Sequence, residues 1–274
     1  MRRLSVLLSL LVLAGCGRAA TSAMPAGPAG PAAARPGYGV ADRFDPGMLR
    51  MRLIGAQPGW PGPRLPLAPP PRKLDCGRLK CVALTFDDGP GEATDKVLDL
   101  LAAHHARATF FVLGQMVTDK SRDFVRRMVA EGHEVGNHSW DHAALAGLSA
   151  DAVRRELDRT QDVVRRVAGV RMTLMRPPYG STNHEVENVA RQEGLAQILW
   201  AVDTLDWRDR DPAIVAKRCC SAKPGDIVLM HDIHPTTIAA LPRLLDELDR
   251  KGFTYVTVSE LLGSPAPGKQ YFNR

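Results

Sequence analysis

The chain has 274 residues and a formal net charge of +6, enough for one large domain or two small ones. The positive charge is uneven: the first 75 residues hold 10 Lys/Arg against 3 Asp/Glu, and the remainder 26 against 27. A near-neutral main domain without a basic stripe interleaved with aromatics excludes nucleic acid as a partner.

Arg2-Arg3 followed by the apolar run Leu4 to Ala14 has the form of an export signal, and the run is too short to span a bilayer permanently. It ends in Leu13-Ala14-Gly15-Cys16, which resembles a bacterial lipobox. That resemblance implies lipidation of Cys16 and anchoring to the membrane, on the outer side of the cytoplasmic membrane or at the cell envelope. If the lipobox is not used, the protein is secreted. Residues 17 to about 72 carry 12 of the 21 prolines with Ala and Gly between them, so residues 17–75 are expected to form a linker. The expected catalytic domain covers 76–262, followed by a short Pro/Gly-rich flexible tail over 263–274, and the protein is expected to be a monomer.

Four cysteines remain beyond Cys16 in this exported chain. Cys76 and Cys81 flank a short loop before the first strand, a spacing that suits a local disulfide. Cys219 and Cys220 are neighbours, and sequence leaves all three pairings open.

From Val82 onward the chain alternates strand and helix patterns. Seven strands are expected: Val82–Phe86, Ala108–Leu113, Glu134–Asn137, Thr173–Arg176, Gln197–Val202, Asp226–Met230 and Thr254–Val258. Helices are expected over Ala93–His105, Arg122–Glu131, Ala150–Ala168, Asn183–Glu193, Pro212–Cys219 and Thr237–Lys251. In Ala150–Ala168, Val153, Leu157, Val163, Val164 and Val167 make an apolar stripe against a charged face. Gly132, Gly169, Gly194 and Gly252 mark helix ends. Seven βα repeats favour a (β/α)7-type barrel over an open doubly wound sheet.

The residues with chemistry fall at strand ends. Thr85-Phe86-Asp87-Asp88-Gly89-Pro90 closes the first strand with two adjacent carboxylates, which point to opposite sides of an extended chain. His138-Ser139-Trp140-Asp141-His142 places two imidazoles at i and i+4, on one face if the segment is a helical turn. Arg176 ends the fourth strand, Asp203 and Asp206 follow the fifth, and His231 ends the sixth. All lie at carboxyl ends of strands, the face on which barrel active sites are built. Asp88 with His138 and His142 forms a two-histidine, one-carboxylate set suited to zinc, with cobalt, nickel or iron compatible on ligand type. His104, His105, His133 and His184 lack partners in register and are expected to be solvated.

Five motifs in order resemble the polysaccharide deacetylases, the NodB-homology or carbohydrate esterase family 4. They are Thr85–Pro90, His138–His142, Arg176-Pro177-Pro178-Tyr179, Asp203-Thr204-Leu205-Asp206-Trp207 and Leu229-Met230-His231-Asp232. The resemblance implies a NodB-like barrel and hydrolysis of acetyl groups on an acetylated glycan. It assigns the metal to Asp88, His138 and His142, the general base to Asp87 and its orientation to Arg176. It gives oxyanion contact to the backbone N–H of Tyr179, the general acid to His231 and support of that acid to Asp206. Trp207 and Leu229, beside Tyr179, would receive the acetyl methyl group. Peptidoglycan is the expected substrate, then chitin oligomers or an exopolysaccharide. An O-acetyl esterase acting on xylan or another glycan, and a non-catalytic glycan-binding lipoprotein, are the competing readings.

Overall fold

A computed structural model describes residues 65–70 and 72–274. The export segment, Cys16 and most of the expected linker lie outside the described residues. Nine strands occur among them: β1 (Lys80–Asp87), β2 (Thr109–Val112), β3 (Glu134–Asn137), β4 (Leu174–Met175), β5 (Ala196–Ile198), β6 (Val202–Asp203), β7 (Ile227–His231), β8 (Phe253–Tyr255) and β9 (Gln270–Tyr271). Helices alternate with them: α1 (Thr94–Ala103), α2 (Arg122–Ala130), α3 (Ala150–Ala168), α4 (His184–Gln192), α5 (Asp206–Asp209), α6 (Pro212–Cys219), α7 (Pro235–Arg250) and α8 (Val258–Leu262). All strand pairings are parallel, in the order β6-β7-β1-β2-β3-β4-β5-β9, with β8 paired to the start of β1. The fold is the expected α/β one, a curled and incomplete (β/α) barrel.

Strand periodicity sorts β1 into two faces. Val82, Leu84 and Phe86 join the core beneath the helices, where Phe86 stacks on Phe110 at 5.1 Å. Cys81 and Ala83 face the barrel interior with Phe111, Ile198 and Ile227. Thr85 and Asp87 continue that inward row. In α3 the buried stripe is Val153, Leu157 and Val164, with Val163 and Val167 at its margin, and Gly169 ends the helix at φ 74°. Only glycine adopts that left-handed conformation without steric cost.

Three expectations change. The strand expected over Gln197–Val202 is two strands, β5 and β6, far apart in the pairing order, β6 at one end and β5 next to β9 at the other. Leu199 N–H donates to Tyr271 C=O at 2.8 Å and Ala201 N–H to Ile227 C=O at 3.0 Å, so the connection switches partners within three residues. The tail expected to be flexible contains β9, paired to β5 in the register Gln197↔Gln270 and Ile198↔Tyr271. The last part of the expected linker is held by the domain, because Arg72 forks onto Glu260 with Nε–Oε1 2.9 Å and Nη2–Oε2 2.7 Å. A bidentate Arg–carboxylate pair fixes direction as well as position. Cys76 and Cys81 form a disulfide, while Cys219 and Cys220 are free and buried.

Candidate active site

A cleft of about 430 Å³ opens at the carboxyl ends of the strands, lined by Asp87, Asp88, His138, His142, Tyr179, Trp207, Leu229 and His231. Pro177, Trp200 and Asp203 complete its wall. A larger cavity of about 530 Å³ lies at the opposite end, against Arg72, Arg107, Glu134 and Glu260. There Glu260 is matched by the two arginines, and Ser259 and Thr109 donate to Glu134. The first cleft instead holds Asp88, whose Oδ1 has no hydrogen-bond donor, beside the His138 and His142 imidazoles.

Asp88, His138 and His142 each offer one ligand atom, and the three atoms lie within 4.8 Å of one another. Asp88 Oδ1 stands 3.4 Å from His138 Nε2 and 3.3 Å from His142 Nε2. His138 Nδ1 lies 2.7 Å from the Arg176 carbonyl, which can only accept, so Nδ1 carries a proton and Nε2 faces the cleft. Asp88 Oδ1 is buried without a hydrogen-bond donor. Burial alone would raise the Asp88 carboxyl, but His138, then His231 and His142, hold it at about 2. A carboxylate and two imidazoles converging in a desolvated site fit a bound cation.

The histidine pair does not sit on a helical turn. After β3 the chain turns irregularly through Ser139 and His142, at φ 69° and 68°. Ser139 Oγ accepts from His142 N–H at 3.0 Å, Asn137 Oδ1 from Ser139 N–H at 3.0 Å, and Glu156 from Trp140 N–H at 2.8 Å. Side chains borrowed from β3 and α3 therefore bring the imidazoles together. Asp88, Tyr179 and Leu205 also have positive φ, at 71°, 60° and 53°. Each left-handed non-glycine residue costs on the order of 1 kcal/mol or more.

Asp87 is 3% exposed and receives Arg176 Nη1 at 2.8 Å, while its other oxygen is 3.7 Å from His138 Nε2. Arg176 is wholly buried, with Nη1 also on Thr85 Oγ1 at 2.7 Å, Nε on Ile198 C=O at 2.9 Å and Nη2 on Leu199 C=O at 2.9 Å. Its guanidinium lies 4.3 Å over the Phe111 ring. Asp87 is the register partner of His231 across β1 and β7, so strand pairing alone makes them neighbours. Asp206, held in α5, lies 2.8 Å from His231 Nδ1 and also accepts His231 N–H at 2.7 Å and Thr237 Oγ1 at 2.6 Å. Burial alone would lower the His231 imidazolium, but the Asp206 hydrogen bond and charge, with Asp87 and Asp88, push it up to about 9. Tyr179 is exposed with its ring edge-on to His142 at 4.4 Å, Trp207 is half exposed, and Leu229 is buried.

Several partners escaped the sequence reading. Thr85 shares the inward face of β1 with Asp87 two residues away, a signal the alternation carries. Thr237 and Trp200 left no signal. Asp232, the last residue of the Leu229-Met230-His231-Asp232 motif, is fully buried, and burial pushes its carboxyl up to about 7. It accepts from Thr94 Oγ1, which in turn accepts Gly91 N–H at 2.8 Å. A Cβ on Gly89 would fall 2.4 Å from both Asp232 carboxyl oxygens, so only glycine admits this contact behind the Asp87-Asp88 pair. His133 is buried rather than solvated, accepting Ala108 N–H at 3.1 Å and meeting Phe110 edge-on.

Residues 75–198 match the family described as polysaccharide deacetylase. The chain is 46% identical over 198 residues to the peptidoglycan-N-acetylglucosamine deacetylase PgdA of Listeria monocytogenes, covering 71% of this chain and 42% of that one. It thus spans less than half the length of that relative. It is 40% identical over 190 residues to the chitooligosaccharide deacetylase of Sinorhizobium fredii, covering 63% of this chain and 87% of the other. Among solved structures, T48 deacetylase with substrate is similar at TM-score 0.69 and 42% identity, over 72% of this chain and 99% of that one.

Proposed function

The chain belongs to the polysaccharide deacetylase family, and from that premise we propose that it is a metal-dependent hydrolase removing N-acetyl groups from the GlcNAc-type sugars of peptidoglycan. The observation that carries this reading is one cleft holding three sets together: the Asp88-His138-His142 donors, the Asp87–Arg176 pair and the His231–Asp206 pair. Similarity to the Listeria enzyme supports peptidoglycan as substrate. Asp88, His138 and His142 are the proposed ligands, and zinc the proposed ion. When bound, the ion supplies Lewis acidity that polarises the acetyl carbonyl and acidifies water.

The chain's own groups would do the rest. Asp87, oriented by Arg176, takes the proton of the attacking water. Tyr179 N–H offers a donor to the oxygen on which negative charge develops. His231, protonated and held by Asp206, delivers a proton to the departing sugar nitrogen as the C–N bond breaks. Trp207 and Leu229 bound the space for the acetyl methyl group and so limit acyl size.

Asp206→Asn is expected to lower kcat by about 10²-fold, within the range of general acid catalysis. His231 has its pKa raised, so the acid form persists at neutral pH and is lost as pH rises through about 9. Removing the Asp206 charge leaves the burial that lowers the imidazolium, so the alkaline limb of the kcat/KM profile should move to lower pH. An unmoved limb would remove His231 from the acid role.

A screen of acetate release with metal add-back tests the function itself. Acetate from peptidoglycan and chitooligosaccharides with none from acetylated xylan is expected. Release from xylan alone favours the esterase, and glycan binding without release from any acetylated sugar favours a binding protein.

The proposed location is the outer side of the cytoplasmic membrane or the cell envelope, through lipidated Cys16. Among the described residues no helix is long and apolar enough to cross a membrane. Cys16→Ala should shift the protein from the membrane pellet to the soluble fraction, and unchanged retention would count against the anchor.

A further inference from the structure

We propose that the segment Gly268–Arg274 is a positioning element for the reaction, acting on Arg176 and on the Tyr179 turn through the short strand β5. The proposal rests on the reading above, in which Arg176 orients the base. β5 has three residues, and only β4 pairs with its other side, because β6 pairs with β7 instead. Without β9 it would be an edge strand of minimal length, poorly held in register.

The segment supplies what is missing. Gly268 N–H donates to Leu195 C=O, Gln197 N–H to Lys269 C=O and Leu199 N–H to Tyr271 C=O, each at 2.8 Å. Beyond β9, Asn273 bridges Asp226 in antiparallel fashion and Arg274 N–H donates to Gly225 C=O at 2.9 Å. These residues therefore close the gap between β5 and the approach to β7.

Two paths lead from this brace to the cleft. The carbonyls of Ile198 and Leu199, at and just beyond the end of β5, are the acceptors that hold Arg176 Nε and Nη2. The remaining bonded nitrogen, Nη1, is then aimed at Thr85 and Asp87. The buried Gln197 side chain forms the second path: Nε2 donates to Gly268 C=O at 2.9 Å, and Oε1 accepts Thr182 Oγ1 at 2.5 Å. Thr182 lies two residues past the Pro178–Gly180 turn that carries Tyr179. Misplacing reacting groups by about 1 Å can cost about 10²-fold in rate, so slack in β5 should appear in kcat.

The test compares the full chain with three variants: one lacking residues 268–274, Gln197→Ala, and Gly268→Ala. A Cβ at Gly268, whose φ is +80°, would sit 2.8 Å from Arg191 Cβ and 2.9 Å from Glu187 C=O, so this substitution displaces the segment without removing it. On a soluble N-acetylchitooligosaccharide, kcat should fall about 10-fold or more in the truncated chain and about 3-fold or more in the point variants, with KM within about 2-fold. Zinc affinity should stay within about 3-fold, since no ligand is touched. The discriminating readout is Arg176→Lys, whose single ammonium cannot reproduce the separate bonds of Nε, Nη1 and Nη2. In that background Gly268→Ala should lower kcat by a smaller factor than it does alone, because the path through Arg176 is already broken.

A kcat within twofold of the full chain in the point variants overturns the proposal. So does a Gly268→Ala loss that multiplies fully in the Arg176→Lys background, or a loss in any variant that tracks a parallel loss of zinc affinity. If the truncated chain does not fold, the point variants decide. Should Asp87→Asn retain full turnover, the reading of the base fails, an outcome distinct from normal kcat in the strand variants alone.

Discussion

Asp87→Asn is expected to lower kcat by about 10³-fold while the metal remains bound, a loss of about 4 kcal/mol in transition-state stabilisation. The substitution preserves shape, and the amide oxygen can still accept from Arg176 Nη1, which approaches at 2.8 Å. It removes the negative charge that would take a proton from water. The ligand atoms of Asp88, His138 and His142 are untouched, so zinc content after dialysis should match the unsubstituted protein. Measuring zinc stoichiometry beside kcat separates the two acids. If zinc is lost with the activity, the roles of Asp87 and Asp88 are wrongly assigned. If turnover is retained, another group acts as base.

His138→Ala is expected to remove metal and activity together. The substitution deletes one of three donors and the hydrogen bond from Nδ1 to the Arg176 carbonyl. Loss of an indirect partner alone commonly weakens metal binding by about 10- to 100-fold, so losing a direct donor should exceed about 100-fold. Zinc titration against a competing chelator reads this directly, with acetate release measured at each point. Comparing the Tm of the metal-free proteins separates ligand loss from unfolding. A fully metallated, active variant would contradict the proposed ligand set.

How much of this was written in the chain differs from residue to residue. Asp87 and Asp88 were visible because an apolar strand stops at a turn; the role of Thr85 was overlooked, although inward positions recur every second residue and place it on the face of Asp87. The placement of polar groups at carboxyl ends of strands followed from counting βα units. The break between β5 and β6 was not legible. Ile198 to Val202 is one apolar run, and its change of partner depends on segments far along the chain. The order of the C-terminal tail was hidden likewise, since Gln270 and Tyr271 become a strand by pairing with β5, not by local preference. The irregular turn that joins His138 to His142 depends on Asn137 and on Glu156 in α3, so i, i+4 spacing suggested a helix where none exists. The burial of Asp232 was not legible because it rests on the missing Cβ of Gly89, a contact between distant positions.

The five left-handed side-chain-bearing residues around the cleft have a practical bearing on attempts to make this protein hardier. Asp88, Ser139, His142, Tyr179 and Leu205 each hold the backbone in a disfavoured region. Replacement by glycine relieves that strain, so selection for heat resistance alone will be drawn to these positions. The variants it recovers there should melt higher and turn over more slowly, because glycine also deletes side chains that the cleft uses, the proposed ligands Asp88 and His142 and the Ser139 Oγ that accepts His142 N–H at 3.0 Å. A thermostability screen of this protein therefore needs an activity gate at every round.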